Sequence, residues 1–65
     1  MKLGKIIDDY YIEVYEFNRS PYINSMFGPK LYRGNAKLLT GGILERNLLR
    51  LFEFKDLGKT VVIVE

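Results

Sequence analysis

Alternating and unbroken stretches of apolar residues divide the chain into segments of different period. Residues 9–17, Asp-Tyr-Tyr-Ile-Glu-Val-Tyr-Glu-Phe, are rich in β-branched and aromatic types and predict a strand. A period of two puts Tyr10, Ile12, Val14 and Glu16 on one face and Tyr11, Glu13, Tyr15 and Phe17 on the other, so both faces are half apolar. Asn18-Arg19-Ser20-Pro21 predicts a turn, because Asn bonds its own backbone while Pro fixes φ and restricts the residue before it. Tyr22–Phe27 predicts a second short strand ended by Gly28-Pro29. Lys30–Leu39 predicts a further extended stretch, interrupted at Gly34-Asn35 by a tight turn or a bulge.

The segment 43–57 decides the fold class. At about 100° per residue, Leu44, Leu48, Leu51 and Phe52 fall within one arc, Ile43 and Phe54 flank it, and Arg46, Arg50 and Glu53 gather opposite. That pattern predicts an amphipathic helix. Gly58 then takes the left-handed position after its last turn, with Lys55 and Lys59 near the negative end of the dipole. Leu49 and Leu57 fall on the polar side of this helix, and the competing arrangement is a hairpin of Leu49–Lys55 with Thr60–Glu65 around Asp56-Leu57-Gly58-Lys59. Leu and Arg are good helix formers and the segment lacks Val and Thr, which favours the helix.

Thr60-Val61-Val62-Ile63-Val64-Glu65 predicts a strand that is apolar on both faces. One helix shields only one of them, so a second layer is expected, either from barrel curvature or from a second copy of the chain. On this argument Val61, Val62, Ile63 and Val64 are the candidate oligomer interface. The expected architecture is a single α+β domain over residues 1–65, a small antiparallel sheet of order β-β-(β)-α-β with its one helix at residues 43–57. A small all-β barrel is the alternative.

Composition narrows the chemistry. In 65 residues there is no Cys and no His, which removes disulfides, thiolate metal sites, the commonest general acid/base and the commonest transition-metal ligand. A reducing, cytoplasmic setting and a non-enzymatic role are expected, with no cofactor and no metal. The longest apolar run, Val61–Val64, is far short of the roughly 20 residues that span a bilayer, and no membrane partner is expected. Small size without cysteine suits a phage, plasmid or archaeal source.

Charge is segregated beneath a net charge of only +2. Asp8–Glu16 holds four acids and no base, Phe17–Leu44 holds four bases and no acid, and Glu45–Glu65 is balanced with four of each. The acids Asp8, Asp9, Glu13 and Glu16 form the one acidic cluster, but neighbours in a strand point to opposite faces, so a solvated strand start is the expectation there. Gly41-Gly42 lacks the surrounding pattern of a phosphate loop, and Ser20 and Ser25 lack any nucleophile setting.

In the basic middle segment, rings interleave with bases: Arg19, Tyr22, Phe27, Lys30, Tyr32, Arg33 and Lys37. Cations for phosphates beside rings for unpaired bases are the ingredients of single-strand binding, so Arg19, Lys30, Tyr32, Arg33 and Lys37 are the candidate nucleic-acid contacts. Simple alternation sets Tyr32 on the face of Lys30 and opposite Arg33. The five tyrosines, with Arg and Met, also fit a protein–protein interface. The leading expectation is a non-catalytic interaction module that self-associates, as a dimer, and binds or modulates another protein. A nucleic-acid-binding module using residues 19–37 is the alternative.

The run Asp56-Leu57-Gly58-Lys59-Thr60-Val61-Val62-Ile63 resembles, over eight positions, the Asp-Glu-Leu-Gly-Arg-Val-Val-Ile hairpin of swapped-hairpin bacterial transition regulators. That motif opens their fold, whereas here it lies at residues 56–63 of 65, and no function is carried across.

Overall fold

Strands rich in β-branched and aromatic residues meet as neighbours, and the remaining chain folds over one side of them. The computed structural model describes residues 1–65. It contains β1 (Tyr11–Phe17), β2 (Phe27–Asn35), β3 (Leu48–Phe54) and β4 (Lys59–Val64), joined or flanked by 3₁₀ turns at Leu3–Ile6, Ala36–Leu38, Gly41–Glu45 and Lys55–Leu57. The sheet order is β2-β1-β4-β3: β1 runs parallel to β4, and the two outer strands run antiparallel to their neighbours. The most apolar strand, β4, is therefore central, where both of its edges are paired.

The expected α+β fold with an amphipathic helix is overturned. Residues 43–57 form the end of a 3₁₀ turn, all of β3, and the turn into β4. The hairpin arrangement prevails because a central Val-Val-Ile-Val strand needs a partner along each edge, and that pairing outweighs the few tenths of a kcal/mol per residue by which Leu and Arg favour a helix. Gly58 is left-handed (φ 62°, ψ 29°), as its sequence position predicts, but it closes the β3–β4 hairpin. The sheet is also not a closed barrel, since β2 and β3 are its two edges.

The strand expected at Tyr22–Phe27 is also absent. Asn18 organises a loop instead, its Oδ1 accepting from the Ser20 amide at 3.0 Å and its Nδ2 donating to the Ser25 carbonyl at 3.0 Å. β2 begins at Phe27 and continues through Gly28-Pro29, where its pairing with β1 slips by one residue between Phe27 and Lys30. Pro is tolerated there because β2 is an edge strand. Gly28 is required by a close approach: a Cβ at this position would lie 2.5 Å from the Glu16 carbonyl oxygen.

Register assigns the faces. On one face Ile12 and Val14 of β1, with Val62 and Val64 of β4, join Leu3, Ala36 and Leu39 in the core, and Ile43, Leu44 and Leu48 pack against it. The 3₁₀ turns form this layer, and the molecule's shortest dimension, 18 Å, accommodates one sheet and one covering layer. The other face carries Tyr11, Glu13, Tyr15 and Phe17 from β1, Phe27, Lys30 and Arg33 from β2, Arg50, Phe52 and Phe54 from β3, and Lys59, Val61 and Ile63 from β4. The 3₁₀ turns that form the covering layer lie on the other side, and only Leu57, on the turn into β4, reaches a cleft at the end of this face.

Candidate functional site

The uncovered face nevertheless leaves Ile63 with 0% exposure. Tyr15 and Phe27 meet edge to face with centroids 5.2 Å apart, and Phe27 reaches Phe52 at 6.3 Å. Phe27 and Phe52 belong to opposite edge strands, which in a flat sheet stand about 14 Å apart. Their contact means that this face is concave and that the rings close over its apolar floor. Val61, Val62, Ile63 and Val64, the candidate oligomer interface, are thus all interior to a single chain. The second face of β4 is covered by side chains of its own sheet, with no second copy required.

Glu13 stands beside this aromatic roof at 9% exposure. Its Oε1 accepts from the Tyr15 hydroxyl at 2.9 Å and lies 3.5 Å from Lys30 Nζ, while Oε2 accepts from Lys59 Nζ at 3.3 Å. The Tyr15 hydrogen bond, followed by the lysine charges, holds the carboxyl below the usual carboxylate range despite the opposing effect of burial. Lys30 Nζ also lies 5.5 Å above the Tyr15 ring centroid, within cation–π range. Arg33 donates through Nε to the Tyr11 hydroxyl. The acidic cluster anticipated at Asp8–Glu16 is dispersed: Glu13 faces the cations of the open face, and Glu16 pairs with Arg46 at 2.7 Å on the covered one.

A bulge at Leu31 rearranges the candidate nucleic-acid residues. Val14 pairs with Tyr32 but Tyr15 pairs with Lys30, so one residue of β2 has no partner and the alternation skips. Lys30 and Arg33 consequently share the open face. Tyr32 goes to the covered side, where it packs against the core and donates its hydroxyl to the Asn35 carbonyl at 2.8 Å. This corrects the alternation expected from sequence. Arg19 is exposed in the loop after β1, and Lys37 lies on the 3₁₀ turn after β2, both off the sheet.

Of the five candidates, the open face therefore gathers two, Lys30 and Arg33. It adds Arg50 and Lys59, with Tyr11, Tyr15 and Phe54, which the sequence reading did not select. For Arg50 and Phe54 the signal was the parity of Arg50, Phe52 and Phe54, legible only once 48–54 is treated as a strand; Tyr11 and Tyr15 already shared one face of β1 by alternation. The face holds four cations against one carboxylate, leaving six bases and seven acids for the rest of the chain. Its positive character is thus a property of one surface and not of the composition. Phe27 and Phe54, each 44% exposed, flank an open cleft of about 410 Å³ that is also lined by Glu13, Tyr15, Lys59 and Val61.

No helix is long and apolar enough to cross a membrane. Comparison of the chain with protein-family models, with curated proteins and with solved structures finds no match in any of the three.

Proposed function

We propose that the chain is a non-catalytic interaction module whose concave sheet face binds single-stranded nucleic acid. One observation carries this reading: register and the Leu31 bulge collect Lys30, Arg33, Arg50 and Lys59 around half-exposed phenylalanine rings on one surface, while the rest of the molecule is slightly acidic. Cations on a concave surface neutralise phosphates, and rings that are exposed yet held in place stack on unpaired bases without selecting among them. A duplex offers such rings no free base face.

Salt dependence tests it. Log affinity for a labelled single strand should fall linearly with log salt, at a slope near −0.7 per phosphate contact, or about −2 to −3 in all. Arg33→Ala should remove nearly one contact from that slope, and Lys37→Ala, off the face, should leave it unchanged. Phe54→Ala should weaken binding by about 1–3 kcal/mol at constant slope, because stacking releases few counterions. Absence of binding at about 50 mM salt and 10 μM protein overturns the proposal. Equal effects of Arg33→Ala and Lys37→Ala do so too.

A protein partner is the second reading, and it rests on a cleft that adjoins the open face and shares Phe17 and Phe27 with it. Phe17, Ile23, Met26 and Phe27 line an open cleft of about 590 Å³ beside the loop after β1, and Ile23 is exposed there. Ile23→Ser should abolish capture of such a partner while leaving the salt slope for single strands intact.

A further inference from the structure

Among the four cations of the open face stands one carboxylate, Glu13, and phosphate binding gives no reason for it. Glu13 and Lys59 are the only charged residues lining the cleft of about 410 Å³. The rest of its wall is apolar or aromatic, with Phe27, Phe54 and Leu57 exposed. Phe27 is engaged with the rings of Tyr15 and Phe52, whereas Phe54 has no ring partner.

Hydrogen-bond capacity decides what such a pair of charged groups can recognise. The bond from Tyr15 and the neighbouring ammonium groups keep the Glu13 carboxyl ionised. An ionised carboxylate only accepts, with about four lone-pair sites over its two oxygens. Tyr15 occupies one on Oε1 at 2.9 Å and Lys59 one on Oε2 at 3.3 Å. The Lys30 ammonium, 3.5 Å from Oε1, forms an ion pair without a hydrogen bond. One acceptor site therefore remains on each oxygen. Lys59 has three N–H donors and uses one of them on Glu13. Oε1, Oε2 and Lys59 Nζ thus present acceptor, acceptor and donor in that order.

One nucleobase carries the complement. The Watson–Crick edge of guanine runs from the N2 amino group through N1–H to O6, as donor, donor and acceptor. Adenine and cytosine each set a ring-nitrogen acceptor beside their amino group. Thymine and uracil flank their one N–H with two carbonyls. Each of these would turn a lone pair toward the carboxylate. We infer that the cleft selects guanine within a single strand, Glu13 accepting from N1–H and N2–H, Lys59 donating to O6, and the base stacking on Phe54. This rests on the reading of the face as a single-strand surface: the rings hold any base, and Glu13 supplies the choice at one position.

Fluorescence anisotropy tests it, with strands of about ten thymidines that carry dG, dA, dC, dT or deoxyinosine at one central position. The dG strand should bind about tenfold more tightly than the dA, dC and all-thymidine strands, as a bidentate contact to one base predicts. The deoxyinosine strand, which lacks only the N2 amino group, should lose most of that advantage. In Glu13→Gln, whose amide replaces one acceptor with a donor, all five strands should bind within about twofold of one another. Equal affinity for the dG and dA strands overturns the inference and leaves strand binding itself intact, as purine stacking alone. A dG preference that survives in Glu13→Gln also overturns it. Absence of binding by every strand removes the reading of the face and this selection with it. Free GMP that competes as well as the dG strand overturns a strand as the source of the guanine. Should Glu13→Gln fail to fold, deoxyinosine on the unaltered chain decides: affinity near that of dA supports the contact, and affinity equal to that of dG overturns it.

Discussion

Ile12 and Ile63 sit on adjacent central strands, both with 0% exposure, yet on opposite faces and covered by different means. Ile12 lies beneath backbone: the 3₁₀ turns carrying Leu3 and Ala36, together with Leu39, fold over it and hold its neighbours by main-chain hydrogen bonds such as Ala36 N–H to the Tyr10 carbonyl at 2.8 Å. Ile63 lies on the face of the Tyr15, Phe27 and Phe52 rings, which meet across a curved sheet, with Tyr15 and Arg50 its direct neighbours in register. A layer of backbone gives a dry core and excludes ligands. A roof of rings gives a dry floor as well, but leaves aromatic faces and cations in contact with water, and only this second arrangement is available for binding.

Truncation of the two isoleucines should separate the two kinds of cover. Ile12→Ala should cost about 3–5 kcal/mol, because the surrounding turns are tied to the sheet and the cavity cannot collapse. Ile63→Ala should cost less, about 2–3 kcal/mol, since rings held only by their own rotamers can settle into the space. Denaturant melts of the two variants measure this difference. Equal losses would mean that the ring roof is as rigid as the backbone layer, and the comparison between the faces would then lose its energetic content.

Sequence made the strands legible where composition and pairing agree. β1 is recovered to within two residues at its start, and β4 to within one at each end, because Val, Ile and aromatic residues leave no better alternative there. β3 is hidden by its bulge. With Leu49 inserted, Leu48 and Leu51 fall on one face and Arg50, Phe52 and Phe54 on the other, so apolar residues recur at spacings of three and four that imitate a helix. The candidate site is obscured in the same way. Lys30 and Arg33 come together through the bulge at Leu31, and no local pattern announces that bulge. The self-covering of β4 was out of reach for a further reason: it depends on Phe27 and Phe52 meeting across the sheet, a contact set by curvature and not by either residue's surroundings in sequence.

The bulge at Leu49 can be tested by a smaller pair of effects. Leu48 packs against the covered core, whereas Arg50 lies on the open face, exposed and bonded only to the Leu49 carbonyl at 3.1 Å. A regular strand would put the two on one face. Leu48→Ala should cost about 1–3 kcal/mol, reduced from a full core truncation by its partial exposure, and Arg50→Ala should change stability by less than about 0.5. Similar losses at both would place them in one environment and remove the bulge.

The finest distinction between covered and open surroundings is in acid, and it compares two lowered carboxyls. Glu13 is shielded among Tyr15, Lys30 and Lys59, whereas Glu45 is exposed beside Lys2 at 2.6 Å. In each case a hydrogen bond to the charged form, from Tyr15 for Glu13 and from Lys2 for Glu45, lowers the pKa from an ordinary value of 4.5. A carboxyl lowered in the folded state binds fewer protons there than in the unfolded chain. Its contribution is fully present above the unfolded value and is lost as pH falls through the folded one, so stability should decline below about pH 4.5. Glu13→Gln should flatten that acid limb, and added salt should reduce its effect less than that of Glu45→Gln, since the Glu13 side chain is 12% exposed and that of Glu45 71%. Glu45→Gln should flatten it only at low ionic strength, where an exposed pair is unscreened. Urea melts from pH 5 down to about pH 2, at two salt concentrations, measure both effects. If added salt erases the Glu13 effect as readily as the Glu45 effect, Glu13 is solvated in solution and the roof beside it is more open than its rings imply.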